Sequence, residues 1–104
     1  MPLTNLNISV ATASNTVTQV NVAMSGTGNV VLLALNSNRI GATIYNSSAA
    51  PVFVDFALID SAPTPFAVKL ASDSYYELPY GYTGAIYAAS IAGSSGNVYV
   101  REFI

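Results

Sequence analysis

A chain of 104 residues has the length of a single domain; its hydrophobic content is 52%, yet it holds only three basic and five acidic residues and a formal net charge of −2. It contains no His, Cys or Trp, which excludes disulfide frameworks, thiolate zinc sites, cysteine nucleophiles and the commonest general base. The basic residues Arg39, Lys69 and Arg101 stand far apart, which argues against nucleic acid, because phosphate binding is built from clustered Lys and Arg.

Met1 to Asn5 has no basic leader and no long apolar run, and is read as lacking a secretory signal. Leu6, Ile8 and Val10 alternate with polar residues and predict a half-buried strand. Val20, Val22 and Met24 predict the next, with Val17 out of step, which calls for a bulge or a strand start near Thr18. After the turn at 25–29, the run from Val30 to Leu35 is apolar on both parities and is expected to be buried on both faces, as a strand central in its sheet with a subunit contact behind it would be. A membrane-spanning helix needs about 20 apolar residues, so no membrane span is expected from this run. Ile40, Ala42 and Ile44 follow, then Val52, Val54, Phe56 and Leu58. A connector with Pro63 and Pro65 leads to Phe66, Val68 and Leu70, with Lys69 outward. Tyr75 to Leu78, Ala85 to Ala89 and Val98 to Phe103 complete the series, separated by Gly, Asn, Ser and Pro clusters. The pattern predicts an all-β fold, an antiparallel, jelly-roll-like β-sandwich of about 8–9 short strands in one domain, residues 1–104.

The carboxylates Asp55, Asp60, Asp73, Glu77 and Glu102 are the candidates for acid–base or metal chemistry. Each falls in a turn or on an apparently outward strand position, and all five are read as solvated surface charges. No Ser has a His to activate it, and no Gly-rich loop opens a helix. No enzyme, cofactor or metal is expected. The Asn-x-Ser matches at Asn7 and Asn46 are read as chance.

Tyrosines cluster at Tyr75, Tyr76, Tyr80 and Tyr82. Tyrosine offers a stiff, amphipathic contact area suited to interfaces, and adjacent strand residues face opposite ways, so at most one of Tyr75 and Tyr76 faces the core. Tyr75, Tyr76, Tyr80 and Tyr82, together with Val31, Leu33 and Leu35, are therefore the candidate interface residues. Tyr80 and Tyr82 are also candidate stacking platforms for a sugar, the alternative of a carbohydrate-binding module for host attachment.

Arg39-Ile40-Gly41-Ala42-Thr43-Ile44-Tyr45-Asn46-Ser47-Ser48, then Val52-Phe53-Val54, then Tyr76-Glu77-Leu78-Pro79-Tyr80-Gly81-Tyr82-Thr83-Gly84 form an ordered signature. Over residues 39–90 the chain resembles small structural proteins of tailed bacteriophages, including cyanophages, of the head decoration (cement) type or other minor virion components. The resemblance implies a virion location, a β-sandwich, and no catalytic residues. The expected function is capsid decoration: stabilising a phage head by bridging capsid subunits. The expected partners are the major capsid protein or another virion protein and further copies of the chain, as a homo-oligomer taken as a trimer, with residues 1–5 as a flexible arm. A neck, tail or baseplate adaptor is the alternative within the virion. The motif also reads as pure fold signature, since Pro79 stops strand pairing and the glycines relax the backbone.

Overall fold

The computed structural model describes residues 16–24, 28–57, 66–79, 81–91 and 95–104. The expected strand at Leu6–Val10, the arm at 1–5 and the diproline connector lie outside them. The described residues form eight strands and no helix, so no helix is long and apolar enough to cross a membrane. The strands are β1 (Val17–Ala23), β2 (Gly28–Leu33), β3 (Gly41–Asn46), β4 (Val52–Asp55), β5 (Val68–Leu70), β6 (Tyr75–Glu77), β7 (Ile86–Ser90) and β8 (Asn97–Phe103).

All pairings are antiparallel, in two four-stranded sheets of order β1-β8-β3-β6 and β2-β7-β4-β5. The pairs β1:β8, β2:β7, β3:β6 and β4:β5 are those of one long hairpin bent at the β4–β5 connection. Rolling that ribbon brings β8 against β3 and β7 against β4, which makes the fold an eight-stranded jelly roll. The C-terminal ends of β1, β3, β5 and β7 and the N-terminal ends of β2, β4, β6 and β8 lie at one end of the sandwich, and the opposite strand ends at the other.

Period-two alternation supplies the core. Ala42, Ile44, Val98 and Val100 from one sheet meet Leu32, Val52, Val54, Ile86 and Ala88 from the other, all buried. Each fully buried Val or Ile is worth roughly 1.5–3 kcal/mol. Val20, Val100, Ile44 and Tyr76 stand in register as one inward row across the first sheet.

Two local expectations are corrected. β1 pairs without irregularity from Val17 to Ala23, and Val17 simply faces solvent, so neither a bulge nor a late start is needed. The bulge lies in β2 instead, where Val31 pairs with Tyr87 and Leu33 with Ile86, leaving Leu32 as the extra residue. It turns Leu32 and Leu33 into the core together, while Val31 is 51% and Leu35 70% exposed. β2 is thus an edge strand, not a central strand buried on both faces.

Candidate functional site

Each end of the sandwich is closed by a polar node built on a core-facing strand position. At the β2–β3 end, Arg39 is buried and each of its three guanidinium nitrogens has a partner. Its Nε donates to Glu102 Oε2 at 2.7 Å, Nη1 to the Gly84 carbonyl at 2.7 Å, and Nη2 to the Ala34 carbonyl at 2.6 Å. Glu102 continues the inward parity of Val98 and Val100, and is buried rather than solvated. That corrects its reading as a surface charge, and the same parity was the signal that marked it. Tyr82 braces the adjoining loop: its hydroxyl donates to the Ala85 carbonyl at 2.8 Å and its ring meets Phe56 edge-on at 4.9 Å. Gly84 lies against this ring so closely that a Cβ there would overlap the Tyr82 hydroxyl.

At the other end Asn46 continues the inward parity of Ala42 and Ile44 and is fully buried. Its Nδ2 donates to the Ala50 and Leu70 carbonyls, both at 2.9 Å, while Oδ1 accepts from the Ser48 amide at 2.9 Å and from the Ser48 hydroxyl. Gly96 crosses this node at φ +115°, where a Cβ would come within 2.8 Å of Ser48 Cα, so both conformation and space require glycine. The two motif segments are thereby joined. Arg39 reaches Gly84, the Leu78 amide donates to the Ala42 carbonyl at 2.9 Å, and Ile44 pairs with Tyr76.

The candidate interface residues are dispersed. Tyr75 is 61% exposed on the outer face of the first sheet, and Val31 and Leu35 are exposed at the β2 edge. Tyr76 points inward and packs on the core, Leu33 lies within it, and Tyr82 is held in the loop node. Tyr76, Tyr82 and Leu33 thus face inward, the Tyr82 ring packing on Phe56 with its hydroxyl bonded to the Ala85 carbonyl. Tyr80 lies outside the described residues.

The structure assembles a different tyrosine cluster. Asn21, Tyr99, Tyr45 and Tyr75 are aligned in register across all four strands of the first sheet, on the outer face. Tyr45 and Tyr99 stack at 6.3 Å with 17° between ring planes. Tyr45 Oη donates to Asp73 Oδ1 at 2.8 Å. This hydrogen bond, with burial and the Asp73 charge adding to it, raises the Tyr45 phenol above its ordinary pKa. Asp73 sits at φ 66°, a left-handed turn conformation that Asp tolerates, and its amide is held by the Asn46 carbonyl at 2.7 Å.

Two residues along the strands, the next outward row is Gln19, Arg101, Thr43 and Glu77. Beyond it Val17, Phe103 and Gly41 align, and there the face opens into a groove of about 270 Å³ between Phe103, Ile40 and Leu78. A Cβ on Gly41 would meet nothing within 4 Å, so its missing side chain adds to the open space.

Comparison of the chain with protein-family models, curated proteins and solved structures finds no match.

Proposed function

We propose that this chain is a structural component of a tailed-bacteriophage virion, a head decoration protein that bridges neighbouring capsid subunits and acts without catalysis. The observation that carries this reading is the interlocking of the two segments that resemble such proteins. Residues 39–48 and 76–84 lie apart in sequence, yet they meet through Arg39 to Gly84, Leu78 to Ala42 and Ile44 beside Tyr76. What the resemblance follows is therefore one physical unit rather than two scattered strings.

The surface supports association. Val17, Val31, Leu35 and Ile91 are exposed apolar side chains, on a chain with three basic and five acidic residues. Little charge repulsion opposes contact with a partner. A homo-oligomer, proposed as a trimer, would cover the Val31 and Leu35 edge. Another part of the surface would meet the major capsid protein or another virion protein.

The test is the copy number of the chain in purified virions, by quantitative mass spectrometry against the major capsid protein. A ratio near one, or a simple fraction of it, supports head decoration. A far smaller ratio moves the protein to a neck, tail or baseplate ring. Absence from the particle overturns the virion reading.

A further inference from the structure

We propose that the outer face of the β1-β8-β3-β6 sheet binds a neutral oligosaccharide, with sugar rings stacked on Tyr45, Tyr75 and Tyr99 and one end of the chain seated in the groove over Gly41. This goes beyond a virion role and stands or falls independently of it.

The first ground is the order of chemistry along the face. Neighbouring strands lie about 4.8 Å apart, so the three tyrosines span roughly 10 Å across the sheet. The Tyr45 ring is already stacked on Tyr99 and tethered through its hydroxyl to Asp73, so little rotamer freedom remains to be lost on binding. One row on, Arg101 offers donors, Glu77 acceptors, and Thr43 both. A pyranose ring has the matching surface: a C–H face for an aromatic ring and a rim of hydroxyls that donate and accept. Tyr45 to Gly41 is four residues, about 13 Å along an extended strand, room for a short oligosaccharide ending in the groove. The groove of about 270 Å³ lies just under the size range of drug-sized ligand pockets, in keeping with a single sugar unit.

The second ground is what the face does not suit. The four strands hold seven, seven, six and three residues, so the face is small and narrows toward β6. β3 and β8 are both inner strands with partners on each side, so the centre of the face offers side chains and no free backbone edge for an added strand. Of the three basic residues, Arg39 is buried and Lys69 lies over Phe53 on the other sheet. Arg101 stands on this face with the carboxylates of Glu77 and Asp73, a balance that disfavours a polyanion and selects a neutral glycan.

The experiment is an array of neutral, N-acetylated, sulfated and uronic oligosaccharides probed with the full chain. It is followed by calorimetry and amide chemical-shift mapping with hexamers of β-1,4-linked glucose and N-acetylglucosamine. The expected result is binding to neutral or N-acetylated chains, with shifts at Gly41, Thr43, Tyr45 and Tyr99. Tyr45→Ala and Tyr99→Ala should each weaken binding about tenfold, the upper range for one aromatic contact. Gly41→Val fills the groove without meeting a neighbour at its Cβ, so it should lose affinity by a similar factor while its melting temperature holds. Val31→Ala on the other sheet should bind as the wild type does. An array with no bound glycan overturns the proposal. So does preference for the anionic chains, or affinity unchanged in both Tyr45→Ala and Gly41→Val.

Discussion

Arg39 Nε lies 2.7 Å from Glu102 Oε2, with the arginine side chain fully buried and the glutamate side chain 10% exposed, and this pair joins positions 63 residues apart in sequence. The guanidinium also takes the carbonyls of Ala34 and Gly84. One cation thus ties the end of β2, the β6–β7 loop and the last turn of the ladder in β8.

Arg39→Met should destabilise the fold by about 3–5 kcal/mol, because it leaves a buried carboxylate without its cation and two carbonyls without a donor. Glu102→Gln keeps an acceptor for Nε and should cost less, about 1–3 kcal/mol. Combining Arg39→Met with Glu102→Leu should recover part of the loss. The readout is the urea midpoint at unchanged m-value. Simple additivity of the two changes would show that the ion pair is not the coupling element.

Asn46→Asp is nearly isosteric but replaces two N–H donors facing the Ala50 and Leu70 carbonyls with a carboxylate oxygen. At neutral pH it should cost at least about 2–3 kcal/mol. Burial and the facing carbonyls favour the protonated form, so the new carboxyl has a folded pKa above its unfolded value of about 3.9. The penalty is therefore full above the folded pKa and is relieved as pH falls through it. Thermal melts from pH 7 to pH 4 should show the variant closing on the wild type. A gap independent of pH would mean that shape, not charge, is what position 46 reads.

Tyr45 donates to Asp73, and its phenol is held above the ordinary value of about 10. The folded state then keeps this proton more tightly than the unfolded one. The stabilisation is present below about pH 10 and is lost as pH rises through the folded value. Ultraviolet titration should find Tyr45 ionising later than an ordinary tyrosine, and Asp73→Asn should return it toward the ordinary range. A titration curve identical in wild type and Asp73→Asn would remove the hydrogen bond as the cause.

Legibility in the sequence divides by parity. Strand positions such as Val52, Val54, Val98 and Val100 announced themselves because alternation is a local property of the chain. Glu102 and Asn46 sit on the same inward parity as their apolar neighbours, so the pattern marked them too, but their polarity argued the other way. Their partners, Arg39 for Glu102 and the Ala50 and Leu70 carbonyls for Asn46, become visible only once distant loops meet. The tyrosines clustered in sequence, Tyr75 and Tyr76, split between the two faces of the sheet, and Tyr82 was taken up by its own loop. Tyr45 and Tyr99, 54 positions apart, come together because β3 and β8 pair in that register.

The sequence by itself determined the all-β class, most turn positions and the sparse charge, since these follow from backbone preference and side-chain type residue by residue. Tertiary structure decided the roll of the ribbon, the bulge that turns Leu32 and Leu33 inward together, the two polar nodes, and the tyrosine row beside the Gly41 groove. All of these rest on pairing between strands far apart in the chain. Local alternation defines which side of a strand is apolar, but the strand that lies beside it is chosen by the whole set of contacts at once.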